Sequence, residues 1–425
     1  MMRFLCRFSF SNCIWMILIG ACMIMLIYLR MDIDIRTDID ERNGIGVKKG
    51  IDIRFRKDKE EMMALEVPKL QEYQHQIQTH INEIRKEHIE KVCKENPYLQ
   101  HLKVDMKRNI AGLEIPFIWC RIPKTGTTTF YRILKTINME SEAKMINPYA
   151  IKGLDARVDQ EKYFQELNTS LYKEIQNYTK ILITRDPISR LISAYFDKFF
   201  SIKPQFWCLN RVKGFQMNRT QESPRYCPAC NITFTDFLGF IANDTEDFDN
   251  IHWTPMYKLC NPCGLIQYDI ISYLETYKQD VLYFLHEINA HIESPFKYMS
   301  DEETDLDIIA REVDILTLNA NEAFETCGYT MKYLIARVFK GLVSKGVISQ
   351  DALLPYLGEP DVYYTSENIK HLLTNVYLSY KGYKVTHKQL RKNMLKDIPD
   401  KILDRIFDIY KYDFEMFQFD TSIKK

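Results

Sequence analysis

IPFIWCRIPKTGTTTFYRILKTI, residues 115–137, passes from a short apolar run through a glycine, a lysine and a cluster of threonines into a helix-like pattern. IPFIWC suits a buried strand, and Phe130, Ile133, Leu134 and Ile137 fall on one side of the helix that TTTFYRILKTI predicts. A strand, a tight loop and a helix N-terminus gather backbone N–H groups and the positive end of a helix dipole around one point, which suits a phosphate-like anion. Gly126 lets the backbone come close to such a ligand, Lys124 adds a full charge, and Thr127, Thr128 and Thr129 offer hydroxyls. In a nucleoside-triphosphate loop, however, the lysine follows the second glycine. Here it precedes the only one, and no acidic strand end stands ready to help hold magnesium. ATP hydrolysis, and with it a kinase, is a poor fit.

A second unit of the same kind follows. KILITR (180–185) reads as another buried strand, and in DPISRLISAYFDKFF (186–200) Asp186 can cap a helix whose first residue is Pro187. Two strand-to-helix units favour a three-layer α/β fold, P-loop-like, with a central parallel sheet. Arg185 stands at the strand end, and Ser189 and Ser193 follow at four-residue steps, so all three can face one side of the junction. An arginine fork with a serine hydroxyl suits a second, separate phosphate. Taken alone, this stretch reads equally as a capped helix with a surface ion pair. Joined to the loop about 60 residues upstream, it reads as half of a two-phosphate site.

PKTGTTTF (123–130) resembles the 5′-phosphosulfate loop of sulfotransferases, and ITRDPISRLISAYFDKF (183–199) resembles the 3′-phosphate motif of Golgi carbohydrate sulfotransferases. HWTPMYKLCNPCGLIQYDIISYLETYKQDVLYFL (252–285), and more faintly YKYDFEMFQF (410–419), are similar to the branch containing chondroitin and dermatan 4-O-sulfotransferases. The resemblance spans roughly residues 90–419 and is patchy between the motifs. It implies 3′-phosphoadenylyl sulfate (PAPS) as donor, bound by Pro123, Lys124, Thr125, Gly126, Thr127, Thr128 and Thr129 at one end and by Arg185, Asp186, Ser189 and Ser193 at the other. One departure concerns the acceptor. That branch has a loop of the PKVACTNW kind, whereas PKTGTTTF is nearer the loops of heparan sulfate sulfotransferases.

Sulfuryl transfer should follow the logic of phosphoryl transfer, with Lys124 and the loop amides stabilising charge as a sugar hydroxyl attacks in line. No metal is required by this scheme. His252, opening HWTP, is the candidate general base, with Asp269 and Glu275 as fallbacks; its bland alternative is a hydrogen-bonded structural histidine. The expected acceptor is a glycosaminoglycan, most readily chondroitin or dermatan. Because such chains are acidic, a local basic groove is expected, drawn from Arg132, Lys135, Lys198, Lys203, Arg211 and Lys213. A catalytically inactive glycan-binding protein of the same fold is the alternative.

Composition sets the remaining bounds. The 425 residues carry 57 Lys+Arg against 57 Asp+Glu, which gives no basic excess for nucleic acid. CIWMILIGACMIMLIYL (13–29) is an uncharged run of 17 residues bounded by arginines, just long enough to span a bilayer, and it ends in no small-residue cleavage site. It reads as a signal anchor after a cytoplasmic tail (1–12), followed by a lumenal stem (30–110) and a sulfotransferase domain (111–425). Sequons beginning at Asn168, Asn177, Asn218, Asn231 and Asn243 suit a lumenal, glycosylated domain. Together these features read as a single-pass type II membrane protein of the secretory pathway, and the resemblance implies the Golgi membrane. Within the stem, Leu70, Tyr73, Ile77, Ile81, Ile84 and Val92 predict a helix over about 68–94, packed on the catalytic domain or solvated. Homodimerisation through it stays open, although the heptads are few. Eight cysteines follow the anchor, among them the pairs Cys227/Cys230 and Cys260/Cys263. Disulfides are favoured over zinc because the compartment is oxidising and the spacing between the pairs is long for a zinc ribbon.

Overall fold

The computed structural model describes residues 49–138, 148, 151, 155–200, 233–243, 250–290, 300–327, 329–357, 364–380 and 387–421. The chain divides into units 1–72 and 73–425. In the first, residues from Lys49 onward are helical. The expected anchor at 13–29 lies outside the described residues, and among those described no helix is long and apolar enough to cross a membrane.

In chain order the elements are α1 (Lys49–Glu95), β1 (Asn109–Gly112), β2 (Phe117–Cys120), α2 (Thr127–Asn138), β3 (Phe164–Glu166), α3 (Thr169–Glu174), β4 (Thr179–Thr184) and α4 (Pro187–Tyr195). A π-helical turn (Phe196–Phe200) extends α4. Then come α5 (Phe234–Asn243), α6 (Met256–Cys260), β5 (Ile270–Tyr273), α7 (Tyr277–Glu287), α8 (Asp301–Cys327), α9 (Met331–Ser344) and α10 (Ser366–Ser379). The chain ends with α11 (His387–Leu395), α12 (Asp400–Ile409) and α13 (Lys411–Met416). The sheet order is β3-β1-β2-β4-β5, with β2, β4 and β5 parallel and β1 antiparallel to both of its neighbours.

Strand alternation builds the layers. Phe117, Trp119, Ile181, Ile183 and Ile270 point to one face, where Phe130, Ile133, Leu134 and Ile137 of α2 meet Val281, Phe284 and Leu285 of α7. Ile118, Cys120, Leu182 and Ile271 point to the other, against Ile89, Val92 and Cys93 of α1 and Met256, Tyr257 and Leu259 of α6. The four positions read from the sequence as the apolar side of α2 are all buried, and Tyr131, Arg132, Thr136 and Asn138 are buried with them. Beyond these layers, α4, α5, α12 and α13 share a third core, and α8, α9 and α10 a fourth.

The stem helix differs from its sequence reading. Tyr73, Ile77 and Ile84, three members of the apolar stripe, are 53%, 43% and 48% exposed, while Gln78, Asn82 and Arg85 are buried beside Ile89 and Val92. The cause lies in the sheet edge. β5 is a terminal strand, whose unpaired backbone groups need cover. Asn82 accepts from Ile271 N (2.9 Å) and donates to Asp269 O (2.6 Å), while Arg85 donates to Ile271 O (2.8 Å) and pairs with Asp280 (2.7 Å). Polar side chains of α1 thus complete the edge strand, and residues 73–110, read as stem, belong to the same unit as the sheet.

Disulfides Cys93–Cys263 and Cys120–Cys260 bind α1 and β2 to the segment around α6. Both cysteines of the CNPC pair are used, each with a distant partner, so this pair is not a zinc knuckle. They close 170- and 140-residue separations, and bridges of this kind typically contribute about 2–4 kcal/mol each. Cys227 and Cys230 lie outside the described residues, as do Asn218 and Asn231 of the sequons. Asn168, Asn177 and Asn243 are exposed.

Candidate active site

The parallel strands β2 and β4 lie side by side, so the loops after their C-terminal ends are neighbours. Ligands of open α/β sheets bind at this edge. Lys124 follows β2 with φ +72°, a left-handed backbone uncommon for a residue with a Cβ, and Gly126 follows with φ +81°. The positive φ favours glycine there, and a Cβ on Gly126 would come 2.9 Å from a Leu274 methyl carbon, which would have to shift. Thr125 is buried and donates to Ile122 O (2.8 Å), closing the turn. Thr127, Thr128 and Thr129 open α2, where the first amides of a helix have no partner within it. Thr127 Oγ1 accepts from Arg157 (3.1 Å), a cation the sequence reading did not single out.

Across the gap, Arg185 donates to Lys124 O (3.0 Å) and so ties the two loops together. Asp186 caps α4 by accepting from Ser189 N (2.7 Å), and its second oxygen pairs with Arg391 (3.1 Å). The expected cap is therefore present, and both carboxylate oxygens of Asp186 are engaged in structure. Lys124, Arg185 and Ser193 line one cavity of about 570 Å³, together with Asp197, Arg311 and Glu312. Lys124 Nζ lies 2.8 Å from Asp197, whose same oxygen is 3.1 Å from Lys198 Nζ. Burial lowers the Lys124 pKa to about 8 against the opposing pull of Asp197, and the two lysines hold the Asp197 carboxyl far below the usual carboxylate range despite the partial desolvation of this half-buried group.

His252 is brought to the same place. Its backbone N–H donates to Asn250 Oδ1 (3.0 Å), which identifies that atom as an acceptor, and its Nδ1 lies 2.6 Å from the same oxygen. Nδ1 therefore carries the ring proton of the neutral imidazole and Nε2 the lone pair. Burial, then the charges of Lys198 and Lys124, push the His252 pKa down to about 3. The fallbacks separate. Glu275 is exposed but its charge acts on Arg185. Asp269 instead pairs with Lys180 (3.2 Å) and accepts from its N–H (2.8 Å) near the opposite end of β4.

Arg190 is the largest omission of the sequence reading. Its guanidinium is fully buried and donates to Pro123 O (3.0 Å), Thr254 O (2.7 Å) and Ile251 O (2.8 Å). One side chain thereby fixes the residue before Lys124 and the backbone on both sides of His252. The available signal was a charge amid the apolar positions of ISRLIS. The C-terminal segment adds support: Asp413 accepts from Met256 N (2.7 Å) and Tyr257 N (2.8 Å), and Tyr410 donates to Trp253 O. Of the six residues expected to form a basic groove, three are described, and two of those are engaged elsewhere. Arg132 is buried and forked onto Asp307 (2.9 and 3.1 Å), Lys135 donates to Asp155 O and Val158 O, and Lys203, Arg211 and Lys213 lie outside the described residues. Lys198 remains beside the cavity through Asp197.

Residues 113–337 match a protein family described as Sulfotransferase family. Among curated relatives, carbohydrate sulfotransferase 9 of Homo sapiens is 26% identical over 253 residues, covering 55% of this chain and 55% of its own length. Carbohydrate sulfotransferase 14 of Danio rerio is 27% identical over 208 residues (46% and 51%), and carbohydrate sulfotransferase 11 of Rattus norvegicus 25% over 243 (53% and 67%). The chain thus spans about half the length of the first two. No solved structure matches it. The family match takes in more than half of the chain and contains the Lys124 loop, the Arg185 loop and His252, so the protein belongs to the sulfotransferase family.

Proposed function

We propose that the protein transfers a sulfuryl group from PAPS to a hydroxyl of a glycan, with chondroitin- or dermatan-type glycosaminoglycan as acceptor. The observation that carries this reading is the pair of cationic loops, Lys124 after β2 and Arg185 after β4, facing one cavity with Ser193. A donor bearing phosphate groups at two ends matches two such loops, and the cavity falls within the usual range for a ligand of this size. Lys124, the α2 amides and Thr127 to Thr129 would hold the phosphosulfate end, and Arg185 and Ser193 the 3′-phosphate.

PAPS supplies the sulfuryl group; the chain positions it and manages charge and proton. The Lys124 ammonium stabilises the charge that develops on the leaving phosphate. His252 Nε2 takes the proton of the sugar hydroxyl. In the free protein its pKa of about 3 makes it a weak base, but an anion that neutralises Lys198 and Lys124 removes two of the causes of that depression. Its basicity then rises when the site is loaded, which is when a base is wanted. A Golgi setting, with residues 13–29 as a type II anchor and the catalytic domain lumenal, is supported by that apolar run and by the two disulfides.

The test uses the full chain purified in detergent, with radiolabelled PAPS and a panel of desulfated chondroitin, dermatan and heparan acceptors. Label should appear in chondroitin or dermatan, and His252→Gln should lower kcat by about a hundredfold. Because His252 is already neutral above pH about 3, kcat/KM should show no histidine-like acid limb between roughly pH 5 and 7. Glycan binding without transfer to any acceptor would instead favour the inactive, binding-only reading.

A further inference from the structure

The cavity that holds the cationic loops also holds an acid, and the acid is on the lysine. Asp197 stands on the π-helical turn after α4, two residues beyond Tyr195, and its Oδ2 bridges Lys124 Nζ (2.8 Å) and Lys198 Nζ (3.1 Å). The charged groups around Lys124 come from separate elements: Asp197 and Lys198 from that turn, Arg311 from α8. Arg311 and Lys198 oppose the Lys124 charge, and Asp197 is the carboxylate in direct contact with it, with Glu312 of α8 lining the same cavity. An anionic ligand reaching for Lys124 meets an anion already there. The ammonium has three donors, but two anions on it repel each other, so an entering anion weakens or displaces the carboxylate contact.

We infer that Asp197 is a positioning residue for Lys124: in the empty site its carboxylate holds the ammonium against the cavity wall, and it hands the ammonium over when an anionic ligand enters. This deepens the transferase reading and rests on it for its catalytic consequence, although the contact itself stands apart from any activity. Three features favour a handover over a permanent structural pair. The carboxylate side chain is 38% exposed, open to the cavity side; Lys198 keeps a partner for Asp197 after Lys124 leaves; and the left-handed backbone at Lys124 aims one residue at one place. The second lysine on the same oxygen keeps the carboxylate ionised once Lys124 has turned to a ligand.

The sign of the pH effect follows from the charges. Lys124 is protonated below its pKa of about 8, and removing Asp197 removes a group that raises that value. In the unliganded full chain, acetylation of the Lys124 peptide, followed by mass spectrometry across pH, should show its midpoint near pH 8 in the wild type and at lower pH in Asp197→Asn. Asp197→Glu, which restores the carboxylate, should return the midpoint toward the wild-type value. Calorimetry with adenosine 3′,5′-bisphosphate, the donor without its sulfuryl group, should give several-fold tighter binding to the Asn variant because one competing anion is gone. Its kcat should fall by about tenfold to a hundredfold, as expected for a misplaced reacting group, and the alkaline limb of kcat/KM should move to lower pH. Identical acetylation midpoints in wild type and Asp197→Asn would overturn the inference whatever the activity. Unchanged midpoints in the Glu variant with shifted ones in the Asn variant support it. Absence of both bisphosphate binding and transfer in the wild type would sink the transferase reading while the acetylation result still decides the role of Asp197.

Discussion

Lys124→Met lowers kcat for sulfuryl transfer by on the order of a hundredfold to a thousandfold, the loss expected when one charge-stabilising donor is removed from a water-poor site. The melting temperature should stay close to that of the wild type, because methionine keeps the aliphatic stem and Lys198 remains as a partner for Asp197. Binding of adenosine 3′,5′-bisphosphate should weaken less than kcat falls, since Arg185 and Ser193 are untouched. That split separates a residue acting on the developing charge from one that only holds the ligand. The backbone gives an independent reason to look here. A left-handed lysine costs roughly 1–3 kcal/mol, and such strain persists where the surrounding structure imposes it, often at functional sites. Arg185 and Arg190 impose it by gripping the carbonyls of Lys124 and Pro123. A Met variant with wild-type kcat would remove Lys124 from the transfer step and leave the loop as a binding element alone.

The elements that position this lysine were the legible part of the sequence. Short apolar runs such as FIWC and ILI suit strands buried on both faces, and Asp186-Pro187 announces a helix start by its own chemistry. The CNPC cysteines pointed to disulfides through compartment and spacing, though their partners at 93 and 120 could not be read from either. What stayed hidden shares one property: its partner is distant in the chain. β1 and β3 are four and three residues long, too short for a period to declare itself, so the antiparallel edge of a sheet expected to be parallel was missed. α1 buries Asn82 and Arg85 rather than Ile77 and Ile84 because a strand edge about 190 residues away needs hydrogen bonds more than apolar cover. Arg132 looked like a surface charge until Asp307 met it. Asp197 and Arg190 sit within a motif read for phosphate binding, yet their contacts run to the Lys124 loop and the His252 segment.

Arg190 accordingly carries the second large effect, and it is one of architecture. Among the described residues this buried guanidinium has no carboxylate in hydrogen-bond contact; it is satisfied by three backbone carbonyls, with the Asp413 carboxylate near enough for its charge to favour it. Arg190→Met leaves Pro123, Ile251 and Thr254 carbonyls in a dry interior without that donor, and each such loss costs about 1–3 kcal/mol. The expected destabilisation is about 3–5 kcal/mol, read from the urea midpoint. Arg190→Lys keeps the charge, but a single ammonium cannot reproduce the planar fork, so it should be less stable than wild type and more stable than the Met variant. The informative readout is kinetic. Since the same side chain sets the loop before Lys124 and both flanks of His252, Arg190→Lys should lose on the order of a hundredfold in kcat while still folded, because both reacting groups shift together. Combined with His252→Gln, it should lose far less than the product of the two separate effects, since residues that act through one another are not additive. Full additivity in that double variant, or a Lys variant with unchanged kcat, would reduce Arg190 to a stabilising residue with no hold on the site.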